Sequence, residues 1–228
     1  MDHYDKQCVA EGEIQPLSVR KRELVTEWRR GEIITAAAKI FGDKGFDNTR
    51  VDDIAAEAGL TKATIYAYFA SKDLIYEAVV DQAFEELAAL TRERLSKSHS
   101  FAEKLESFIA VRLMYWEHKR VLYRVIWSVN ADLRNRPRAI AGYERFVDVL
   151  SKIFEEAYRA GEIPQQDFVA SAWRLLDMLR GIYDRRLHGE DKTSIGETIR
   201  SLTRFTLHGL ELQTPKPKPS GKAAGRRN

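Results

Sequence analysis

The segment from Val51 to Lys72 constrains the fold more than any other, because it reads as two short helices joined at a glycine. Val51, Ile54, Ala55 and Ala58 recur at helical spacing, with Asp52, Asp53 and Glu57 left for the outer face. Thr49 and Asp52 form a Thr-x-x-Asp start signal, in which the hydroxyl accepts an orphan amide bond and early carboxylates suit the positive helix end. Gly59 supplies the tight turn, since glycine takes positive φ at little steric cost. Thr61 reopens a helix as its N-cap. In that second helix Ile65 and Phe69 share a face at i, i+4 spacing and pack toward Ile54 and Leu60, leaving Lys62, Ala63, Thr64, Tyr66 and Tyr68 mostly outward.

A lysine and two tyrosines on the open side of a short helix are an unusual surface to offer water. They suit DNA, because the N-terminal part of a recognition helix enters the major groove, where lysine donates to guanine and hydroxyls reach phosphate oxygens. The competing reading is structural, with Tyr66 and Tyr68 as half-buried packing residues and Lys62 as a solvated charge. The constellation as a whole favours a helix-turn-helix.

Together with the preceding helix, Arg30 to Phe46, this stretch resembles the N-terminal DNA-binding domain of the TetR family of bacterial repressors over roughly residues 28–80. The resemblance rests on Ala37, Phe41, Lys44-Gly45-Phe46, Asp53-Ile54-Ala55, Ala58-Gly59-Leu60-Thr61, Tyr66-x-Tyr68-Phe69 and Ser71-Lys72, a far more specific set than a bare helix-turn-helix pattern. It implies that Lys62, Ala63 and Tyr68 face bases, that Thr64, Tyr66 and Lys72 grip phosphates, and that Thr61 caps the recognition helix. Where the family often has Ser or Thr just before Val51, this chain has Arg50, suited to a phosphate or a base edge. Thr49 and Arg50 complete the expected DNA-binding set.

Length and composition agree, since 228 residues with 44% hydrophobic content bury a substantial core in one or two domains. The net charge of +3 misleads, because Lys216, Lys218, Lys222, Arg226 and Arg227 alone exceed it and leave the rest at −2. DNA binding must therefore rest on local charge, at Arg20-Lys21-Arg22, Arg29-Arg30, Arg50, Lys62 and Lys72. Cys8 is the single cysteine, so a disulfide framework is excluded and a reducing cytoplasm fits; thiol sensing at Cys8 has only that residue in its favour. No apolar run reaches membrane-spanning length and no export signal is read, so no membrane partner is expected. The expected organisation is an N-terminal extension over 1–27, a helix-turn-helix domain over 28–75, a helical ligand-binding and dimerisation domain over 76–212, and a disordered basic tail over 213–228. Arg20, Lys21 and Arg22 would then form either a solvated leader or an arm on DNA.

Beyond Ser71 the chain reads as helices throughout, giving an all-α fold of about nine in total. A connecting helix runs from Lys72 to about Ser96, Ser100-Phe-Ala-Glu103 is a capping box, a helix stops at Gly161, and Asp167 and Ser194 cap the last two. In the resembled family the last two long helices pair with their copies, implying a homodimer; amphipathic helices alone also suit a monomer core. A twofold dimer reads a palindrome with recognition helices about one turn of B-DNA apart. The body carries Phe108, Tyr115, Trp116, Tyr123, Trp127 and Trp173, with polar Arg112, His118, Asn130, Asp177 and Arg180 among them. As a candidate ligand set we take Phe108, Arg112, Tyr115, Trp116, Tyr123, Trp127, Trp173, Asp177 and Arg180, for an aromatic or fatty effector with an acidic or hydrogen-bonding head. Taken singly, each aromatic suits an ordinary core better than a pocket.

The resemblance implies a repressor that leaves its operator when the effector binds. An activator of the same architecture and a non-specific architectural DNA-binding protein are the alternatives. An enzyme is not expected, since phosphate-cradling loops, nucleophile elbows and His-x-x-x-His pairs are lacking, and no cofactor or metal is implied.

Overall fold

The structure is a computed structural model that describes residues 17–127 and 136–211. Among the described residues there are nine helices and no strand. The chain divides into two compact units, one ending at Val79 and the other beginning at Val80.

The first unit holds α1 (Leu17–Lys44), α2 (Val51–Glu57), α3 (Lys62–Tyr68) and the first turns of α4 (Lys72–Leu95). The boundary expected at 28 moves, because α1 already starts at Leu17, just after Pro16, and Arg20, Lys21 and Arg22 lie exposed on its opening turns. Leu17 to Arg30 contains neither glycine nor proline and is rich in good helix formers, so the helix continues although the side chains of residues 20–28 are exposed. Ile33, Ala37, Phe41, Ile54, Ile65 and Phe69 form the buried core. Phe41, Phe46 and Tyr76 pack as a ring triad with centroids 5.1–5.8 Å apart. After α2, Gly59 at φ +64° lets the Leu60 amide donate back to the Ala55 carbonyl (2.9 Å) and its own amide to Ala56 (3.2 Å), closing the helix end and turning the chain toward α3.

The second unit contains the rest of α4 and α5 (Phe101–His118), α6 (Arg120–Trp127), α7 (Arg136–Arg159), α8 (Phe168–Leu187) and α9 (Ile195–Glu211). Here α7 packs on α8 and α5 on α9. Leu105, Phe108, Tyr123, Leu150, Phe154 and Leu176 are its buried centre. The caps fall where the sequence places them. Ser100 Oγ accepts from the Glu103 amide (3.2 Å) while the Glu103 carboxylate accepts from the amides of His99 (2.7 Å) and Ser100 (3.3 Å). Asp167 accepts from Ala170 (2.9 Å), Ser194 accepts from Glu197 (3.2 Å), and Gly161 ends α7 at φ +75°. Phe205 in α9 is 64% exposed.

Candidate functional site

Ile65 and Phe69 are buried beneath α3, and the opposite side carries Lys62, Ala63 and Tyr66 in the open, with Thr64 and Tyr68 half-buried. Tyr66 is 45% exposed, a large ring with nearly half of its surface open to solvent. Lys62 Nζ reaches Asp52 Oδ2 at 2.8 Å, and that hydrogen bond raises the lysine pKa. Both groups are well exposed, so the pair is weak and the ammonium is open to other partners. Thr61 caps α3: its Oγ1 accepts from the Thr64 amide (3.2 Å) and shares a hydroxyl bond with Thr64 Oγ1 (2.8 Å).

Two expected DNA-binding residues have inward tasks. Thr49 is 2% exposed and its hydroxyl donates to the Gly45 carbonyl at 2.7 Å, so it tethers the loop after α1 rather than meeting solvent. The N-cap of α2 is the next residue, Arg50, whose amide donates to Asp53 Oδ2 at 2.9 Å. The Lys44 ammonium and this amide hold the Asp53 carboxyl below the usual range. Asp53 therefore takes the place expected of Asp52. Lys72 Nζ donates to the carbonyls of Phe46 (2.8 Å) and Thr49 (3.0 Å) and lies 4.3 Å from the Phe46 ring centre, clipping α4 to the loop between α1 and α2. Its donors are spent on carbonyls rather than directed at phosphate.

Sequence reasoning missed Arg30 as an orienting residue. Its Nη1 donates to the Tyr68 carbonyl (2.9 Å) and its guanidinium covers the Phe69 ring at 4.3 Å, placing a positive charge at the C-terminal end of α3. A cation near a helix C-terminus was the available signal, but α1 and α3 had first to be brought together.

In the second unit four of the candidate ligand residues, Arg112, Trp116, Tyr123 and Arg180, line one enclosed site with Tyr143 and Phe146. Its free space is about 10 Å³, near the size of one water. Phe108 lies under Arg112, the guanidinium carbon 3.2 Å from the ring centre, and Trp127 packs on Tyr143 at 4.8 Å. The other three do not join it. The Tyr115 hydroxyl donates to the Ala83 carbonyl (3.1 Å) and Glu86 (3.0 Å), and Tyr115 borders a separate cleft of about 450 Å³ with Leu90 and Met114. Asp177 opens onto a groove of about 1170 Å³ along α8 and α9, and Trp173 lines none of these three spaces. Cys8, Asn130 and the basic tail fall outside the described residues. No described helix is long and apolar enough to cross a membrane.

A short helix seated on a glycine turn, with a basic and aromatic outer face, attached to a helical body, defines a helix-turn-helix DNA-binding regulator. The family "Bacterial regulatory proteins, tetR family" matches residues 33–79. The biofilm operon icaADBC HTH-type negative transcriptional regulator IcaR of Staphylococcus aureus is 30% identical over 146 residues, 61% of this chain and 75% of that protein. The HTH-type transcriptional activator FasR of Mycolicibacterium smegmatis is 30% identical over 119 residues, 51% of this chain, and the chain spans about half (54%) of its length. The solved structure of the fatty acid degradation regulator FadR from Bacillus halodurans shares the fold, with a TM-score of 0.73 over 81% of this chain and 97% of that one at 17% identity. The chain belongs to the tetR family of bacterial regulatory proteins. It is a DNA-binding transcriptional regulator, and regulators of this family are non-enzymatic transcription factors.

Proposed function

We propose that this regulator is a cytoplasmic homodimeric repressor that sits on a palindromic double-stranded operator and is released by a small, largely apolar effector. The observation that carries the reading is the outer face of α3, where Lys62, Ala63 and Tyr66 are exposed on a helix anchored by Ile65 and Phe69. Lys62, Ala63 and Tyr68 read bases and Arg50, Thr64 and Tyr66 hold phosphates, while Thr49, Thr61 and Lys72 support the element. Specificity then comes from base edges, and a salt-dependent share of affinity from phosphates.

The surface of α8 and α9 supports a dimer. Phe205 and Val169 are exposed there, and the buried hydroxyls of Thr203 and Thr206 have no partner among the described residues. A second copy covers that surface, and twofold symmetry matches two recognition helices to two half-sites. The effector binds around Arg112 and shifts α4, which begins in the first unit and ends in the second. Release requires only that effector and DNA prefer different states, with a coupling of about 1–3 kcal/mol. The name of FasR, an activator, favours the opposite sign of regulation as a second reading.

Selection of bound fragments from random duplexes tests this. An enriched palindrome that is lost with Lys62→Ala plus Tyr68→Ala supports a sequence-specific dimer. Diffuse binding that survives the double substitution contradicts it and points to an architectural role.

A further inference from the structure

Arg112 is the feature of the second unit that the fold alone does not explain. Its side chain is 4% exposed in an aromatic site, and among the described residues no acid lines that site. The guanidinium lies between the rings of Phe108 (3.2 Å) and Phe146 (4.2 Å), which offset part of its desolvation. Nη1 donates to the Phe108 carbonyl one turn back on the same helix at 3.0 Å. Nε and Nη2, both buried, have no hydrogen-bond partner among the described residues.

Those two nitrogens are not an arbitrary pair. In a planar guanidinium the Nε hydrogen and one Nη2 hydrogen point the same way along one edge, with the spacing that accepts both oxygens of a carboxylate. The free edge is thus a two-pronged donor, while the opposite side is held by its own helix and both faces are covered by rings. A buried, unpaired donor is expensive to keep, and a buried unpaired charge more so, so its persistence calls for a partner beyond the described residues, and an incoming ligand supplies one. A second cation, Arg180, lines the same site. Nearby, the indole N–H of Trp127 is also buried without a partner among the described residues, and its ring packs on Tyr123 (6.3 Å) and Tyr143 (4.8 Å) of the lining.

We propose that the effector of this regulator is an apolar carboxylic acid whose carboxylate pairs side-on with Nε and Nη2 of Arg112. This rests on the reading of the second unit as an effector-binding domain and adds the chemical class of the effector. Because the free space is about 10 Å³, the acid's apolar body enters by displacing rings, and Trp127, packed against the lining at the end of α6, is the natural one to move. Neutral isosteres of the same acids lose both the charge and one acceptor, and the site discriminates against them for that reason.

The test uses the full chain and two acids, octanoate and phenylacetate, each against its amide, octanamide and phenylacetamide. Binding is read by tryptophan fluorescence and by melting temperature, in the wild type, Arg112→Met and Arg112→Lys. Methionine removes a buried unpaired charge at similar volume, so that variant should melt at or above the wild type; lysine keeps the charge but not the fork. Expected are acids binding the wild type about ten- to a hundred-fold more tightly than their amides, that preference vanishing in Arg112→Met, and only part of it surviving in Arg112→Lys. Acids and amides binding equally to the wild type, or an acid preference that persists in Arg112→Met, overturns the carboxylate anchor and leaves the effector site standing. Failure of all four compounds to bind any of the three proteins overturns both.

Discussion

A Cβ placed on Gly142 in α7 would lie 2.7 Å from the ring of Phe84 in α4, closer than any real side chain tolerates. Only glycine lets α7 cross α4 at this height. The same ring touches Tyr143 and Phe146, with centroids 6.1 and 6.0 Å away, and both residues line the site around Arg112. Displacing either ring there acts directly on α4.

Gly142→Ala should therefore force Phe84 off its position. We expect a loss of about 1–3 kcal/mol, the usual penalty for overpacking, seen as a lower denaturant midpoint. Phe84→Leu in the same chain should recover part of the loss, because the smaller side chain frees the space. An unchanged midpoint in the single variant would show that the crossing is looser than described.

Lys72 and Arg50 separate structural from phosphate-binding cations. Lys72→Met removes charged hydrogen bonds to the Phe46 and Thr49 carbonyls and should destabilise the first unit by about 1–3 kcal/mol. The salt dependence of DNA affinity should stay unchanged. Arg50→Ala should do the reverse, leaving stability nearly intact while lowering the slope of log affinity against log salt by about 0.9. Salt titrations and melting curves of the two variants distinguish the roles.

Burial pushes the Tyr76 hydroxyl up to about 12, and burial is likewise the largest cause pushing Tyr115, Tyr123, Tyr143 and Tyr183 upward. An unfolded chain releases tyrosine protons near pH 10, whereas the folded chain holds them. Their contribution to stability is therefore fully present below about pH 10 and is lost as pH rises through that value toward the folded pKa. Tyrosinate absorbance against pH checks this. The buried five should appear only with cooperative unfolding.

Phe205→Glu places a charge on the exposed apolar surface of α9. Light scattering should show monomers in place of dimers, with unchanged helical content and a large loss of affinity for a palindrome but not for a single half-site. A dimer that survives this change would place the interface elsewhere.

Helix spacing and capping chemistry were legible because they are local. Gly59, Thr61, Ser100, Glu103 and Asp167 each announce themselves within a few residues, and each acts as its neighbours dictate. The N-cap of α2 slipped by one residue, from Thr49 to Arg50, because the Thr49 hydroxyl donates to the Gly45 carbonyl four residues back, inside the turn that follows α1. The start of α1 was hidden for a different reason. Trp28, Leu24 and Val25 are exposed, so no buried stripe marks that stretch as helix. In the body, helical periodicity named the aromatics but could not sort Trp173 from Trp116, because enclosure depends on which helices meet. The orphaned edge of Arg112 is a tertiary property throughout, visible only once Phe108 and Phe146 cover both faces.

The central claim is sequence-specific recognition by a pair of α3 helices. Fluorescence anisotropy of the purified chain, titrated at physiological salt against its selected palindrome and a shuffled duplex of equal length, tests it most directly. We expect two chains per duplex and a preference for the palindrome of about a thousandfold or more, reduced to near parity by Lys62→Ala plus Tyr68→Ala. Equal affinity of the wild type for both duplexes would contradict the account.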